Sequence, residues 1–209
     1  MRHVSTSDPF IMGVLLAAGR GRRMGTTKQL LPWPHNTDAE QLSSTVIESA
    51  FDAIASQCRR MIVVLGHEAE AVTAALEGRE FVPVHADPDA EMFESIKVGL
   101  RRAIIEDTMT SVLLHPADHP EVRPSTVMTL LEENRSHPQC VIIPEYRGRG
   151  GHPVLIPRSF VEDILAFTGS GGLRAFWTLH PAKCLRVSID DPQTVLDLDT
   201  PEAYEAHRD

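Results

Sequence analysis

Short runs of aliphatic and β-branched residues alternate along this chain with segments whose apolar residues recur at helical spacing. That alternation admits few architectures other than a mostly parallel sheet covered by helices. The first run, Ile11 to Leu16, breaks on Ala17-Ala18-Gly19-Arg20-Gly21. Val46, Ile47, Ala50, Phe51 and Ile54 then share one helical face, and Thr45 with Glu48 has the pattern of a capping box. Met61 to Leu65, closed by Gly66, reads as a buried strand, and Ala69, Val72 and Leu76 form a helical stripe ended by Gly78. Phe81 to His85, Ser111 to His115, Val141 to Ile143, His152 to Ile156 and Cys184 to Ile189 are further expected strands. Helices are expected around Phe93 to Ile104, from Pro124, from Ser159 with Glu162 as its cap, and from Pro201. Tyr146 to Gly151 reads as a flexible basic loop and His35 to Ser44 as an exposed one. The class is α/β, in one domain spanning residues 1–209.

Composition excludes several functions. With 20 Lys and Arg against 29 Asp and Glu, the net charge is −9, which argues against general nucleic-acid binding. No run approaches the roughly 20 apolar residues of a membrane span, and Met1 to Ser5 lacks a secretion signal's apolar core, so a cytoplasmic protein is expected. Cys58, Cys140 and Cys184 form no CxxC pair and read as ordinary half-buried thiols.

The segment after the first run carries the chemistry. Arg20, Arg22, Arg23 and Lys28 place four of the 20 basic residues within nine positions, among Gly19, Gly21 and Gly25. Glycines let backbone N–H groups approach a phosphate, and guanidinium and ammonium groups neutralise its oxygens. A dinucleotide fingerprint would need glycine where Met24 stands, and a P-loop would need Ser or Thr where Gln29 follows Lys28. Asp118 lies just beyond the strand ending at His115, where open α/β sheets bind ligands, and a carboxylate there suits Mg²⁺. His115 and His119 flank it but are not counted as ligands, because Mg²⁺ prefers oxygen.

The string LAAGRGRRMGTTKQLLP from Leu16 to Pro32 resembles the signature of the MobA-like nucleoside triphosphate transferases, most closely the molybdenum cofactor cytidylyltransferase branch. Val63 to Gly66, Asp118-His119-Pro120, Gly151-His152-Pro153-Val154 and Asp197-Leu198-Asp199-Thr200-Pro201-Glu202 are similar to later motifs of that family. The resemblance implies a Rossmann-like fold and transfer of a nucleotidyl group, CMP from CTP, to a phosphorylated acceptor such as molybdopterin, with pyrophosphate released. A sugar or polyol phosphate as acceptor, or a non-catalytic role delivering a cofactor, are the alternatives, and a molybdoenzyme is the further partner implied. Leu16, Ala17, Ala18, Gly19, Arg20, Gly21, Arg22, Gly25 and Gly66 are then expected to bind the nucleotide, with Arg23, Lys28 and Asp118 acting in catalysis. Asp118 and Asp199, with Asp197 as substitute, are expected to hold Mg²⁺, and Gly151 and His152 to contact the acceptor. The pair Ala17-Ala18 favours CTP over GTP, since guanine users of the family tend to carry a second glycine there. Three segments depart from the family pattern: Glu91 to Ser95, Ser170 in place of an aspartate, and an apparent insertion at His35 to Ser43.

Overall fold

The structure is a computed structural model that describes residues 9–19, 27–33, 44–196, 198 and 200–206. The elements run β1 (Ile11–Ala17), β2 (Pro32–Trp33), β3 (Ser44–Thr45), α1 (Val46–Ala55), β4 (Arg60–Leu65), α2 (Ala69–Ala75), β5 (Val82–His85) and α3 (Met92–Ala103). They continue with β6 (Ser111–Pro116), α4 (Pro124–Ser136), β7 (Val141–Tyr146), β8 (Arg149–Gly150), β9 (Val154–Pro157), α5 (Arg158–Ala166), α6 (Gly172–Leu179), β10 (Cys184–Ser188) and α7 (Pro201–Ala206).

The main sheet has the order β10-β7-β9-β6-β1-β4-β5, with β8 paired to β7. β1 lies parallel to both β4 and β6, and β9 is antiparallel to its neighbours β6 and β7. Successive residues of a strand point to opposite faces, and β1 shows it residue by residue. Met12 and Val14 pack with Phe93, Ile96 and Leu100 of α3, Phe160 of α5 and Phe176 of α6. Ile11, Leu15 and Ala17 pack with Ile47 and Phe51 of α1, Val72 of α2 and Leu130 of α4. The sheet is therefore buried on both faces, as strands with nearly continuous apolar runs require.

The capping box is present: Thr45 accepts from the Glu48 N–H, and the Glu48 carboxylate accepts from the Thr45 N–H at 2.7 Å. A smaller cluster of Trp33, Val46, Leu198 and Tyr204 ties α7 to the segment after Lys28, and the Tyr204 hydroxyl donates to the Pro32 carbonyl at 2.7 Å.

Three expectations are corrected. Tyr146 to Gly151 is a tight β7–β8 hairpin, not a loose loop, with Arg147 (φ 49°) and Gly148 (φ 78°) at the turn. Helix α5 begins at Arg158 directly after Pro157, with no side-chain cap; Ser159 lies inside its first turn and its hydroxyl donates to Gln139 at 3.2 Å. Among the described residues no helix is long and apolar enough to cross a membrane. Of the expected exposed loop His35 to Ser44, Ser44 instead opens β3 and is half-buried, and the rest lies outside the described residues.

Candidate active site

Parallel strands end on one edge of the sheet, and an antiparallel strand begins there. The carboxyl ends of β1, β4 and β6 therefore share an edge with the start of β9. This gathers Ala18-Gly19, Gly66, Asp118 and Gly151-His152, four segments far apart in sequence, as the motifs require.

Ala18 is buried and sits against Gly66. A Cβ on Gly66 would collide with the Ala18 carbonyl oxygen and come within 2.7 Å of its Cα, so only glycine lets the two turns touch. Gly66→Ala is expected to cost about 1–3 kcal/mol and to weaken nucleotide binding by displacing Ala18. Gly19→Ala, whose Cβ would find its nearest neighbour 3.9 Å away, should leave stability within about 0.5 kcal/mol. Urea unfolding of the two variants checks this, and equal losses would refute it.

Lys28 opens a single 3-10 turn, Lys28–Leu30, and is buried there. The next residue anchors that turn: the Gln29 side-chain amide donates to the Gly19 carbonyl at 3.1 Å, joining the end of β1 to the lysine. Lys28 Nζ donates to Asp118 Oδ2 at 2.7 Å, with side chains only 10% and 14% exposed. The Leu198 N–H donates to the Asp118 carbonyl at 3.3 Å, bringing the closing segment of the chain to the same point.

Burial alone would raise the Asp118 carboxyl. The Lys28 ammonium beside it, with His119 and hydrogen bonds from Lys28 and the backbone, overcomes that penalty and holds it below its ordinary value. Asp118 is thus an anion at neutral pH. Its other oxygen, Oδ1, is buried and has no hydrogen-bond partner among the described residues, a condition rare for a buried anion unless a ligand completes it. That orphaned oxygen is what a divalent cation at this edge would use, so the residues present fit one.

Three histidines line the site beside Asp118. The His115 ring is fully buried; its Nε2 lies 2.9 Å from the His119 carbonyl, which can only accept, so the proton sits on Nε2. His119 Nδ1 lies 3.3 Å from the Gln193 carbonyl and its Nε2 lies 3.8 Å from Asp118 Oδ1. The His152 ring meets His119 edge to face at 5.2 Å. Burial first, then repulsion from His119 and His152, pushes His115 down to about 3; burial, then His119, does the same for His152. His152 Nδ1 is buried without a hydrogen-bond partner among the described residues. Gly151 is buried, and a Cβ on it would strike the Thr194 backbone, which explains the glycine by packing.

Of the predicted site residues, Leu16, Ala17, Ala18, Gly19, Lys28, Gly66, Asp118, Gly151 and His152 converge on this edge. Arg20, Gly21, Arg22, Arg23, Gly25, Asp197 and Asp199 lie outside the described residues. Sequence reasoning set His119 aside as a ligand and missed the roles of Gln29 and the Gln193-Thr194 backbone, which arise from contacts across the fold. In the segment Glu91 to Ser95, which departs from the family pattern, Glu91 and Glu94 are both exposed, and Glu94 pairs with Lys97 at 3.1 Å.

The sequence and the fold both have known relatives. The chain is 29% identical over 207 residues to nicotine blue oxidoreductase of Paenarthrobacter nicotinovorans, covering 94% of this chain and 96% of that one. It is 22% identical over 191 residues to molybdenum cofactor cytidylyltransferase of Escherichia coli K12, covering 91% and 92%. The crystal structure of Rv0371c from Mycobacterium tuberculosis H37Rv superposes with a TM-score of 0.79 at 28% identity, covering 94% and 97% of the two chains. A structure of that protein in complex with manganese superposes at 0.72 and 27%, covering 95% and 97%. The family model described as MobA-like NTP transferase domain matches residues 13–184. The chain belongs to this nucleotidyltransferase family.

Proposed function

We propose that the chain transfers CMP from CTP to the phosphate of a molybdopterin-type cofactor and releases pyrophosphate. The observation that carries this reading is the buried Lys28–Asp118 pair at the carboxyl edge of β1 and β6, with Asp118 Oδ1 lacking a hydrogen-bond partner among the described residues. The 22%-identical cytidylyltransferase of Escherichia coli supports the acceptor and the base. The Ala17-Ala18 pair, of which Ala18 packs against Gly66, supports CTP over GTP.

An acceptor phosphate oxygen attacks the α-phosphorus in line; a new P–O bond forms, and the bond to the bridging oxygen breaks, its electron pair leaving with pyrophosphate. The acceptor phosphate has a second pKa near ~6 and is mostly ionised at neutral pH, so no general base is required. This agrees with His115 and His152 being held neutral. Lys28 stabilises charge developing on the triphosphate, the contribution expected of a preorganised cation. Arg23 is proposed to act with it. Asp118, with Asp199, would hold a divalent cation, Mg²⁺ in the first instance, which supplies charge neutralisation of the phosphate oxygens when bound. Gly151 and His152 are proposed to border the acceptor, and a molybdoenzyme to receive the product.

Incubation with each of the four triphosphates, Mg²⁺ and molybdopterin should release pyrophosphate with CTP far above the others. Release only with a sugar or polyol phosphate would redirect the acceptor. Binding of triphosphate without release would make the protein a delivery factor. The 29% identity to nicotine blue oxidoreductase over nearly the whole chain favours a second reading, an oxidoreductase. That reading predicts electron transfer with a redox cofactor, such as a dinucleotide, by the same preparation and no pyrophosphate. Met24, standing where a dinucleotide fingerprint needs glycine, counts against it.

A further inference from the structure

The Asp118 carboxylate does not face its cation site alone. The His119 ring is buried, its side chain 7% exposed, and it turns Nε2 toward the orphaned Asp118 Oδ1 across 3.8 Å. Its other nitrogen fixes the tautomer. The Gln193 carbonyl, 3.3 Å from Nδ1, can only accept, so Nδ1 carries the proton. In the neutral ring Nε2 is then a lone pair, and two acceptors confront each other in a buried place. A cation between them resolves this arrangement.

The surroundings have the form of a metal-binding imidazole. Ligating histidines almost always donate their second N–H to a carbonyl or carboxylate, which orients the ring and raises its basicity; Gln193 is that carbonyl. The His119 backbone is itself pinned, its carbonyl accepting from the buried His115 at 2.9 Å. The ring is walled by His152 at 5.2 Å. Two donors on one ion with bonds of about 2.1 Å stand roughly 3.0–3.5 Å apart, so a small side-chain torsion closes the difference. Among the described residues no three histidine, cysteine or acidic groups converge on such a point. Positions that the protein's own donors leave fall to phosphate oxygens and water, as is usual for nucleotide-bound divalent ions.

We propose that His119 Nε2 is a direct ligand of the divalent cation held by Asp118, and that this nitrogen makes the site prefer Mn²⁺ to Mg²⁺. This rests on the reading of Asp118 as a metal ligand. Imidazole favours first-row transition ions, whereas an all-oxygen shell suits Mg²⁺.

The test is metal binding by the full chain. Mn²⁺ with CTP is followed by electron paramagnetic resonance, and nitrogen coupling to the bound ion is read by spin-echo modulation. The wild-type protein should show histidine nitrogen coupling that changes on ¹⁵N-histidine labelling, a measurement that needs no variant. His119→Gln should lose the coupling and bind Mn²⁺ at least about tenfold more weakly, while Mg²⁺ affinity changes less than about threefold. Asp118→Asn should weaken both ions. Coupling absent from the wild type, or retained in His119→Gln, overturns the role of His119 while leaving the Asp118 site standing. If Asp118→Asn binds both ions normally, or the wild type binds neither, the metal site itself falls.

Discussion

Lys28→Met is expected to lower turnover at saturating substrates by at least about 10²–10³-fold, the loss seen when one preorganised charge or donor is removed from a reacting group. It should also destabilise the fold by about 3–5 kcal/mol, because Asp118 would remain buried as an uncompensated anion. The two losses have different cures. Asp118→Asn in the Lys28→Met background removes the stranded charge and should recover much of the stability, yet turnover should stay low because the phosphate still lacks its cation. The four proteins form a double-mutant cycle, read once by urea unfolding and once by pyrophosphate release. Near-normal turnover in Lys28→Met would remove the loop from the mechanism. Additive stability losses would mean that the 2.7 Å pair does not hold the two residues in one energetic unit.

The fold was legible wherever the deciding forces are local. Thr45 and Glu48, three residues apart, form the capping box expected of them, and the apolar stripe Phe93, Ile96 and Leu100 faces the sheet as its spacing requires. The β2–β3 pair was not legible, since each strand has two residues, too few to show a period, and their pairing spans residues 34–43. The β7–β8 hairpin escaped because its first turn residue is Arg147 at φ 49°, where Asn, Asp or Gly would announce the turn. At Ser159 a good capping pattern lost to topology, because β9 runs straight into α5 through Pro157.

The site divides in the same way. Lys28, Asp118 and Gly66 stand in motifs, and the structure brings them to one edge. Gln29 served only to reject a P-loop, although its amide ties Gly19 to the lysine turn. His119 was set aside because Mg²⁺ prefers oxygen. Its meaning lies in the Gln193 carbonyl, 74 positions away in sequence, and no local pattern records that contact. The glycine of Gly151-His152 answers to the backbone of Thr194, another partner chosen by the fold.

Acid is expected to destabilise this protein well before its carboxylates titrate. His115 is 0% exposed and its pKa is lowered to about 3 from an ordinary 6.5. Above about pH 6.5 the ring is neutral in both folded and unfolded chains and does not affect stability. Below it the unfolded chain takes up a proton that the folded chain refuses, so stability falls by about 1.4 kcal/mol per pH unit until the folded ring titrates near 3. Between about pH 6.5 and 5 His115 alone accounts for roughly 2 kcal/mol. His152, half-buried as a residue but lowered likewise to about 3, adds at most as much again. Asp118 and Glu48 act lower: their stabilisation is lost only as pH falls below their ordinary values of 3.8 and 4.5. His115→Gln keeps an N–H to donate to the His119 carbonyl but has no proton to gain, so the dependence of its urea midpoint on pH between about 6.5 and 5 should drop by half or more. An unchanged slope would show that the acid sensitivity arises elsewhere. Because His115 pins the backbone of His119, which in turn faces Asp118, the first consequence of its protonation should be a loosening of the proposed cation site, with Mn²⁺ affinity declining before the global unfolding transition.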